Sequence, residues 1–268
     1  MSEDFSIYNG EGTLLRQAQL RMLNILLEVD KICRKNNLSY WIDYGTLLGA
    51  VRHKGYIPWD DDIDISMPSD DYKKFTEIAN NELPEGFFLQ TSETDPAYKR
   101  SVCKVRDTNS FIAGYNDDFC AEYNKGLYID IFEMREYPSI PPSLFRKMSK
   151  WINKTSIFFE IKQYPSIRTS FATIIFPIIN LFCRLVIGLF NIKSKTKLGL
   201  RYGQIDLYPG LNNKKDILPT IDIEFEGRLL KAPANPDAIL RSYYGDYMQL
   251  PPEDKRKVHG KHIYLNKQ

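Results

Sequence analysis

Four carboxylates within five positions, in the run Trp59-Asp60-Asp61-Asp62-Ile63-Asp64-Ile65, constrain this chain more than any other feature. Negative side chains crowded this closely repel one another unless a cation sits among them. Ahead of them, Gly45-Thr46-Leu47-Leu48-Gly49 and a basic stretch put small residues at a turn, which suits a helix whose N-terminal amides approach a phosphate. Strand alternation would then present Asp60, Asp62 and Asp64 on one face and turn Asp61, Ile63 and Ile65 to the other, with the isoleucines towards a core. An ionised carboxylate among isoleucines is costly to bury alone, and a divalent metal is the simplest partner for it. Mg²⁺ takes a few carboxylates together with substrate phosphate oxygens, so the expected chemistry is phosphoryl or nucleotidyl transfer. A calcium loop also alternates its acids. Its sixth and twelfth positions require Gly and Glu, however, and counted from Asp60 they hold Ile65 and Asp71.

With 268 residues, 43% of them apolar, the chain can form one large domain or two small ones around a real core. Its 36 basic and 34 acidic residues give a net charge of +2, which supplies no global electrostatic reason to expect nucleic acid as a partner. Cys33, Cys103, Cys120 and Cys183 are widely spaced, with no Cys-x-x-Cys pair, and read as reduced, mostly buried thiols rather than a zinc site. The acidic start, Met1-Ser2-Glu3-Asp4-Phe5, lacks the basic and apolar regions of a signal peptide, so a cytoplasmic location is expected.

Leu15, Leu20, Leu23, Leu26, Leu27 and Ile32 recur at mixed spacings of three and four, which predicts a helix over 13–36. Leu38 to Asp43 reads as a short strand leading into the Gly45-Thr46 turn, and a short helix from Thr46 is stopped by Lys54-Gly55. After the acidic strand, Ser69 is positioned to cap a helix whose first turn carries Asp70 and Asp71. Phe87-Phe88-Leu89, Ser101 to Val105, Phe111-Ile112-Ala113 and Leu127 to Phe132 read as strands that complete a mixed sheet. Residues 139–200 read as a helical insertion. They are followed by a Tyr208-Pro209-Gly210 turn, a hairpin around Glu226-Gly227, and a short helix begun by Asn235-Pro236 and stopped near Gly245. The apolar run Phe171 to Phe190 approaches a membrane-spanning length but contains Pro177, Asn180 and Arg184. Two readings stay open for it: a buried helix of the insertion, or an interfacial helix lying on the inner face of the cytoplasmic membrane beside the lysines of 147–154, with 145–192 as the contact.

The segment from Tyr40 to Ile65, namely Trp41-Ile42-Asp43-Tyr44-Gly45-Thr46-Leu47-Leu48-Gly49-Ala50-Val51-Arg52-His53-Lys54-Gly55 and then Ile57-Pro58-Trp59-Asp60-Asp61-Asp62-Ile63-Asp64-Ile65, resembles the signature of the LicD family. Lys104-Val105-Arg106-Asp107-Thr108-Asn109, Tyr128-Ile129-Asp130-Ile131-Phe132, and Tyr243-Tyr244-Gly245-Asp246-Tyr247 with Leu250-Pro251-Pro252 extend the likeness over most of 13–135 and 220–262. The resemblance implies an α+β fold of the polymerase-β nucleotidyltransferase type: a mixed β-sheet flanked by helices in one catalytic domain over 1–268, with the helical insertion at about 139–200. It also implies transfer of phosphocholine, or of a related amino-alcohol phosphate or phosphonate such as phosphoethanolamine or 2-aminoethylphosphonate. The donor would be CDP-linked and the acceptor a hydroxyl of a surface-glycan precursor, free or lipid-linked.

In that family pattern Asp62 and Asp64, flanking one apolar residue, ligate Mg²⁺ or Mn²⁺, Asp60 is a further candidate, and Asp130, set between Ile129 and Ile131, is the third carboxylate from a neighbouring strand. Gly45 and Thr46, with Arg52, His53, Lys54, Lys104 and Arg106, would neutralise the donor diphosphate while the hydroxyl attacks in line. Asp130 or Asp60 would accept its proton. A quaternary-ammonium headgroup calls for aromatic faces, and Trp41, Tyr44 and Trp59 lie close in sequence. His53, His259 and His262 have no metal-binding spacing, although Arg256 or His259 of the basic tail can meet phosphate or acceptor. Two alternatives remain: a nucleotidyltransferase attacking a nucleoside triphosphate, and a non-catalytic relative that binds glycan or membrane. The sequence names neither the headgroup, the acceptor sugar nor the oligomeric state.

Overall fold

The computed structural model describes residues 4–98, 100–114, 122–137, 139–160, 166–190, 195–201, 211–256, 258 and 260–266. Cys120, His259 and the Tyr208-Pro209-Gly210 turn lie outside the described residues. A short helix α1 (Ser6–Asn9) precedes α2 (Leu14–Lys35), whose Thr13 cap accepts a hydrogen bond from the Arg16 amide at 3.2 Å. Met22, Leu26, Val29 and Cys33 line its buried stripe. There follow β1 (Trp41–Ile42), α3 (Tyr44–His53), β2 (Asp64–Pro68) and α4 (Ser69–Glu82), then β3 (Phe87–Gln90), β4 (Cys103–Asp107), β5 (Phe111–Gly114) and the long β6 (Tyr128–Tyr137). Helices α5 (Pro142–Glu160) and α6 (Ile167–Gly188) come next, then β7 (Lys197–Leu200), β8 (Asn212–Asn213) and α7 (Lys214–Ile217). The chain closes with β9 (Ile221–Phe225), β10 (Arg228–Ala232), α8 (Pro236–Tyr244) and β11 (Gly260–Tyr264).

The main sheet has the order β1-β2-β6-β4-β3, and β6 is its spine. One edge of β6 takes β2 in parallel; the other pairs antiparallel with β4 through 128–131 and with β7 through 134–137, and β8 joins β7. The sheet is therefore mixed and flanked by helices, an α+β arrangement. Ile65, Ile129, Ile131 and Val105 are buried in one cluster with Met22 and Leu26 of α2 and Phe75 of α4. Strand alternation leaves the neighbouring residues Asp64, Asp130 and Lys104 on the opposite face.

Several local expectations are corrected. The strand read over 38–43 pairs only at Trp41 and Ile42, and α3 starts at Tyr44 rather than Thr46, because Asp43 supplies the cap. The acidic run is not one strand: β2 begins at Asp64. Ser69 does not cap α4, since its hydroxyl donates to Glu133 at 2.6 Å instead. Strand β5 leaves the main sheet and pairs with β11. Within the 139–200 insertion, β7 belongs to the main sheet, so the helical part is the α5–α6 hairpin with its own small core of Phe145, Met148, Ile152, Cys183 and Ile187. Among the described residues, α6 is the helix long and apolar enough to cross a membrane. It is not a buried helix, for only 11% of its most apolar window is covered. Cys33, Cys103 and Cys183 are free and buried, the β9–β10 hairpin turns at Glu226-Gly227, and α8 runs from its Asn235 cap to Gly245.

The end of α3 is fixed by a loop folded tightly against it. Lys54 takes the left-handed conformation (φ 59°) and its amide donates back to the Gly49 carbonyl. A Cβ on Gly49 would stand 2.4 Å from the Gly55 carbonyl oxygen and 3.0 Å from the Ile57 nitrogen, both backbone atoms. Glu226, from the β9–β10 turn, holds the same loop by accepting the Tyr56 amide at 3.1 Å while pairing with Arg16 at 2.7 Å. Gly49→Ala should therefore lower unfolding stability by about 1–3 kcal/mol, the usual range for overpacking. Urea denaturation checks this, and an unchanged midpoint would show that the loop can yield.

Candidate active site

The parallel register of β2 and β6 sets Asp64 opposite Asp130, and the antiparallel register of β4 and β6 sets Lys104 opposite Asp130. Register partners point to the same side of a sheet, so Lys104, Asp130 and Asp64 form a row across three strands. The Lys104 ammonium is ion-paired with Asp130 in a nearly buried position, and it lies 3.4 Å from the centre of the Tyr128 ring. Burial lowers the Lys104 pKa, against the opposing pull of the Asp130 charge. Asp64 is anchored through its backbone: its amide donates to Thr46 Oγ1 at 2.9 Å and its carbonyl accepts from the Asp43 amide at 2.9 Å. Its carboxyl is pushed well above the ordinary range, first by burial and then by the charges of Asp62, Asp130, Asp60 and Asp43.

Asp60 sits where α3 begins. A Cβ on Gly45 would lie 2.8 Å from Asp60 Oδ2, so the glycine lets the carboxylate approach the first turn of the helix. The buried Gln19 of α2 fixes the same residue by donating to its carbonyl at 2.8 Å. Asp61 goes the other way, its buried carboxylate accepting from the Gly260 amide of β11. Ile63 and Ile65 enter the core. Although most of the acidic run is not strand, its residues thus divide much as alternation predicts.

Among the described residues, no three His, Cys, Asp or Glu side chains form a ready-made metal cluster. The donor set of Asp60, Asp62, Asp64 and Asp130 nonetheless has the hard oxygen chemistry that Mg²⁺ or Mn²⁺ requires. Burial first, and then the neighbouring acids, disfavour the charged form of Asp64, and a divalent cation among these carboxylates would oppose both effects.

The expected phosphate-binding residues occupy different places. Thr46 and Gly45 are beside Asp64 and Asp60, whereas Arg52, His53 and Lys54 lie at the other end of α3. Arg52 donates to the Tyr247 carbonyl at 3.1 Å and to His53 Nε2 at 2.9 Å, and Lys54 is exposed. Arg106 is buried, with Nε bound to Gln90 Oε1 at 2.5 Å and Nη1 to the Gly126 carbonyl at 2.6 Å. Arg256 donates to the Pro251 carbonyl at 3.0 Å and lies 5.0 Å from the Trp59 ring centre. Trp41, Tyr44 and Trp59, the expected aromatic enclosure, are all buried. Trp59 meets Arg256, and the aromatic face beside the acid row belongs to Tyr128, which carries Lys104.

Asp43 has a part that the sequence analysis did not assign. Fully buried, it caps α3 through the Tyr44 amide (3.0 Å) and accepts from Ser66 Oγ (2.7 Å) and Trp41 Nε1 (3.1 Å). Burial raises its pKa to about 6, against those hydrogen bonds and one from Tyr243, whose ring stacks on Tyr44 at 5.1 Å. Asp directly before Tyr-Gly-Thr is a readable cap signal. Nothing local in sequence announces Ser66 or Tyr243.

His53 carries a testable protonation state. Its Nε2 accepts from Arg52, which requires the neutral ring, and burial followed by the Arg52 charge lowers its pKa to about 4. The unfolded chain binds this proton between that value and the ordinary 6.5, so the contribution of His53 to stability is complete above pH 6.5 and is lost as pH falls towards 4. NMR titration of the His53 ring should give a midpoint near 4, and a midpoint above 6 would contradict the Arg52 contact.

Comparison with known proteins gives the family. Residues 37–178, which carry α3, the acids and β6, match the family described as LicD/FKTN/FKRP, nucleotidyltransferase domain. The chain is 33% identical over 261 residues to the lipopolysaccharide cholinephosphotransferase LicD of Haemophilus influenzae, covering 91% of this chain and 95% of that protein. An uncharacterised Rickettsia prowazekii protein is 36% identical over 121 residues, 44% of this chain and 41% of its own length. On the extent of the family match and the near full-length relative, this chain belongs to the LicD family.

Proposed function

We propose that the protein is a transferase moving phosphocholine, or a related amino-alcohol phosphate or phosphonate, from a CDP-linked donor to a hydroxyl of a surface-glycan precursor. The observation that carries this reading is the row Lys104–Asp130–Asp64, with Asp62 and Asp60 near enough to act on Asp64 electrostatically. The name of the Haemophilus relative, a lipopolysaccharide cholinephosphotransferase, supports a glycan acceptor and a choline headgroup.

Asp62, Asp64 and Asp130, with Asp60, would hold Mg²⁺ or Mn²⁺, which when bound supplies charge neutralisation at the donor diphosphate. Lys104 offsets negative charge on the same face, and its ammonium rests on the Tyr128 ring. Thr46 and Gly45 keep the acids and the start of α3 together, so the site is organised before substrate arrives. The proton of the attacking hydroxyl passes to a carboxylate, Asp60 or Asp130. Arg52 and His53, from the far end of α3, shape the loop to Tyr247, and Arg52 is near enough to Asp60 to feel its charge.

Incubation with CDP-choline, CDP-ethanolamine or the aminoethylphosphonate equivalent, Mg²⁺ and a glycan acceptor should release CMP. Pyrophosphate release from CTP in the same assay would indicate a nucleotidyltransferase instead. Asp62→Asn and Asp64→Asn should each reduce turnover by more than about a hundredfold. Asp64→Asn should nevertheless melt at or above the wild-type temperature in chelator, because it removes a charge that its neighbours oppose; a lower Tm would mean that Asp64 is structural. Mn²⁺ should raise the wild-type Tm, and that shift should vanish in Asp64→Asn. Gly45→Ala should push Asp60 away and reduce turnover at least about tenfold with little loss of stability, whereas full activity would remove Asp60 from the site.

A further inference from the structure

The α5–α6 hairpin has two properties that the transfer reaction does not use. Helix α6 is apolar on both sides. Ile179, Cys183 and Ile187 pack into the hairpin core, while Phe171, Ile174, Ile178, Leu181, Leu185 and Leu189 recur at spacings of three and four and are 59–74% exposed. Monomeric proteins rarely leave a stripe of that length in water without a partner for it. The segment that carries it is also strongly basic: residues 139–200 contain ten Lys and Arg and a single acid, Glu160, a net +9 in a chain whose total is +2, and +6 of it falls within the hairpin itself. The remaining residues therefore carry −7. On α5, Arg146, Lys147, Lys150 and Lys154 are exposed around the partly exposed Trp151, and Lys154 lies 4.9 Å from the centre of its ring.

Charge selects among the occupants of the stripe. A second copy seated on it would bring two hairpins of +6 together, and like charges across an interface oppose association. A membrane-spanning α6 meets a different obstacle. The hairpin leaves the sheet after Tyr137 and returns at Lys197, which is the register partner of Tyr137, so both ends lie at one place. If α6 crossed a bilayer, α5 would have to cross with it, taking Arg146, Lys147, Lys150 and Lys154 into hydrocarbon. An open apolar helix face in a basic hairpin that also exposes a tryptophan suits the boundary of an anionic bilayer.

We propose that the α5–α6 hairpin is a peripheral anchor to an anionic lipid surface, with the open stripe of α6 at the acyl boundary and the basic residues of α5 meeting headgroups. The proposal is independent of the donor and the reaction. Such an anchor would present the acid row to acceptors that are themselves held at a membrane.

Flotation of the full chain tests it, using vesicles of phosphatidylcholine alone and vesicles containing about one third phosphatidylglycerol. The protein should float with the anionic vesicles, stay in the dense fractions with the neutral ones, and be released as salt is raised. The double variant Ile178→Glu/Leu185→Glu should lose at least about tenfold in bound fraction while its Tm and CMP release are unchanged. Separately, Lys147→Gln, Lys150→Gln and Lys154→Gln should each lower anionic-vesicle partitioning about fivefold. Wild-type protein that ignores anionic vesicles, or a double variant that floats as wild type does, would overturn the proposal. So would a solution dimer that the double variant dissociates, which would assign the stripe to a second copy.

Discussion

The pairing of β2 with β6 is the contact on which the rest depends. Because these two strands run parallel and in register at Asp64 and Asp130, two acids from segments more than sixty residues apart share one face of the sheet. The same pairing places Ile65 beside Ile131 on the other face, within the hydrophobic core. Burial of the isoleucines therefore holds the acids in place. At an effective dielectric of about 20, two like charges 4 Å apart cost about 4 kcal/mol, so the sheet keeps together what electrostatics would separate.

That cost is offset locally in two visible ways. Lys104 lies in the same row, paired with Asp130 and resting on Tyr128, which places a positive charge where the acids are densest. Asp61 leaves the cluster for the Gly260 amide, so one of the four neighbouring acids is withdrawn from the repulsion. Burial, and after it the remaining acids, raise the carboxyl of Asp64.

Much of this was legible in sequence because it is local. The 3.6-residue period marks α2, the Glu226-Gly227 turn marks the β9–β10 hairpin, and the Asn235-Pro236 and Gly245 signals bound α8. The apolar-acid-apolar form of Ile129-Asp130-Ile131 identifies a strand carrying an acid, and the structure sets it beside Asp64. What was not legible depends on contacts distant in sequence. No neighbour of Glu226 predicts that its carboxylate will hold the loop after α3, and nothing near Phe111 says that β5 will pair with residues 260–264. Arg106, two residues from Lys104 and on the same face of β4, is held by Gln90 and the Gly126 carbonyl, partners that no sequence neighbour announces. The run over 171–190 is equally apolar whether covered or open, and only tertiary packing distinguishes the two.

The most direct test is crystallographic: crystals soaked with Mn²⁺ and cytidine diphosphate, with anomalous scattering used to locate the metal. The account predicts a manganese peak bounded by Asp62, Asp64 and Asp130, with diphosphate oxygens completing its coordination. A diphosphate bound elsewhere, with Lys104 still paired to Asp130 and no metal between Asp64 and Asp130, would contradict it.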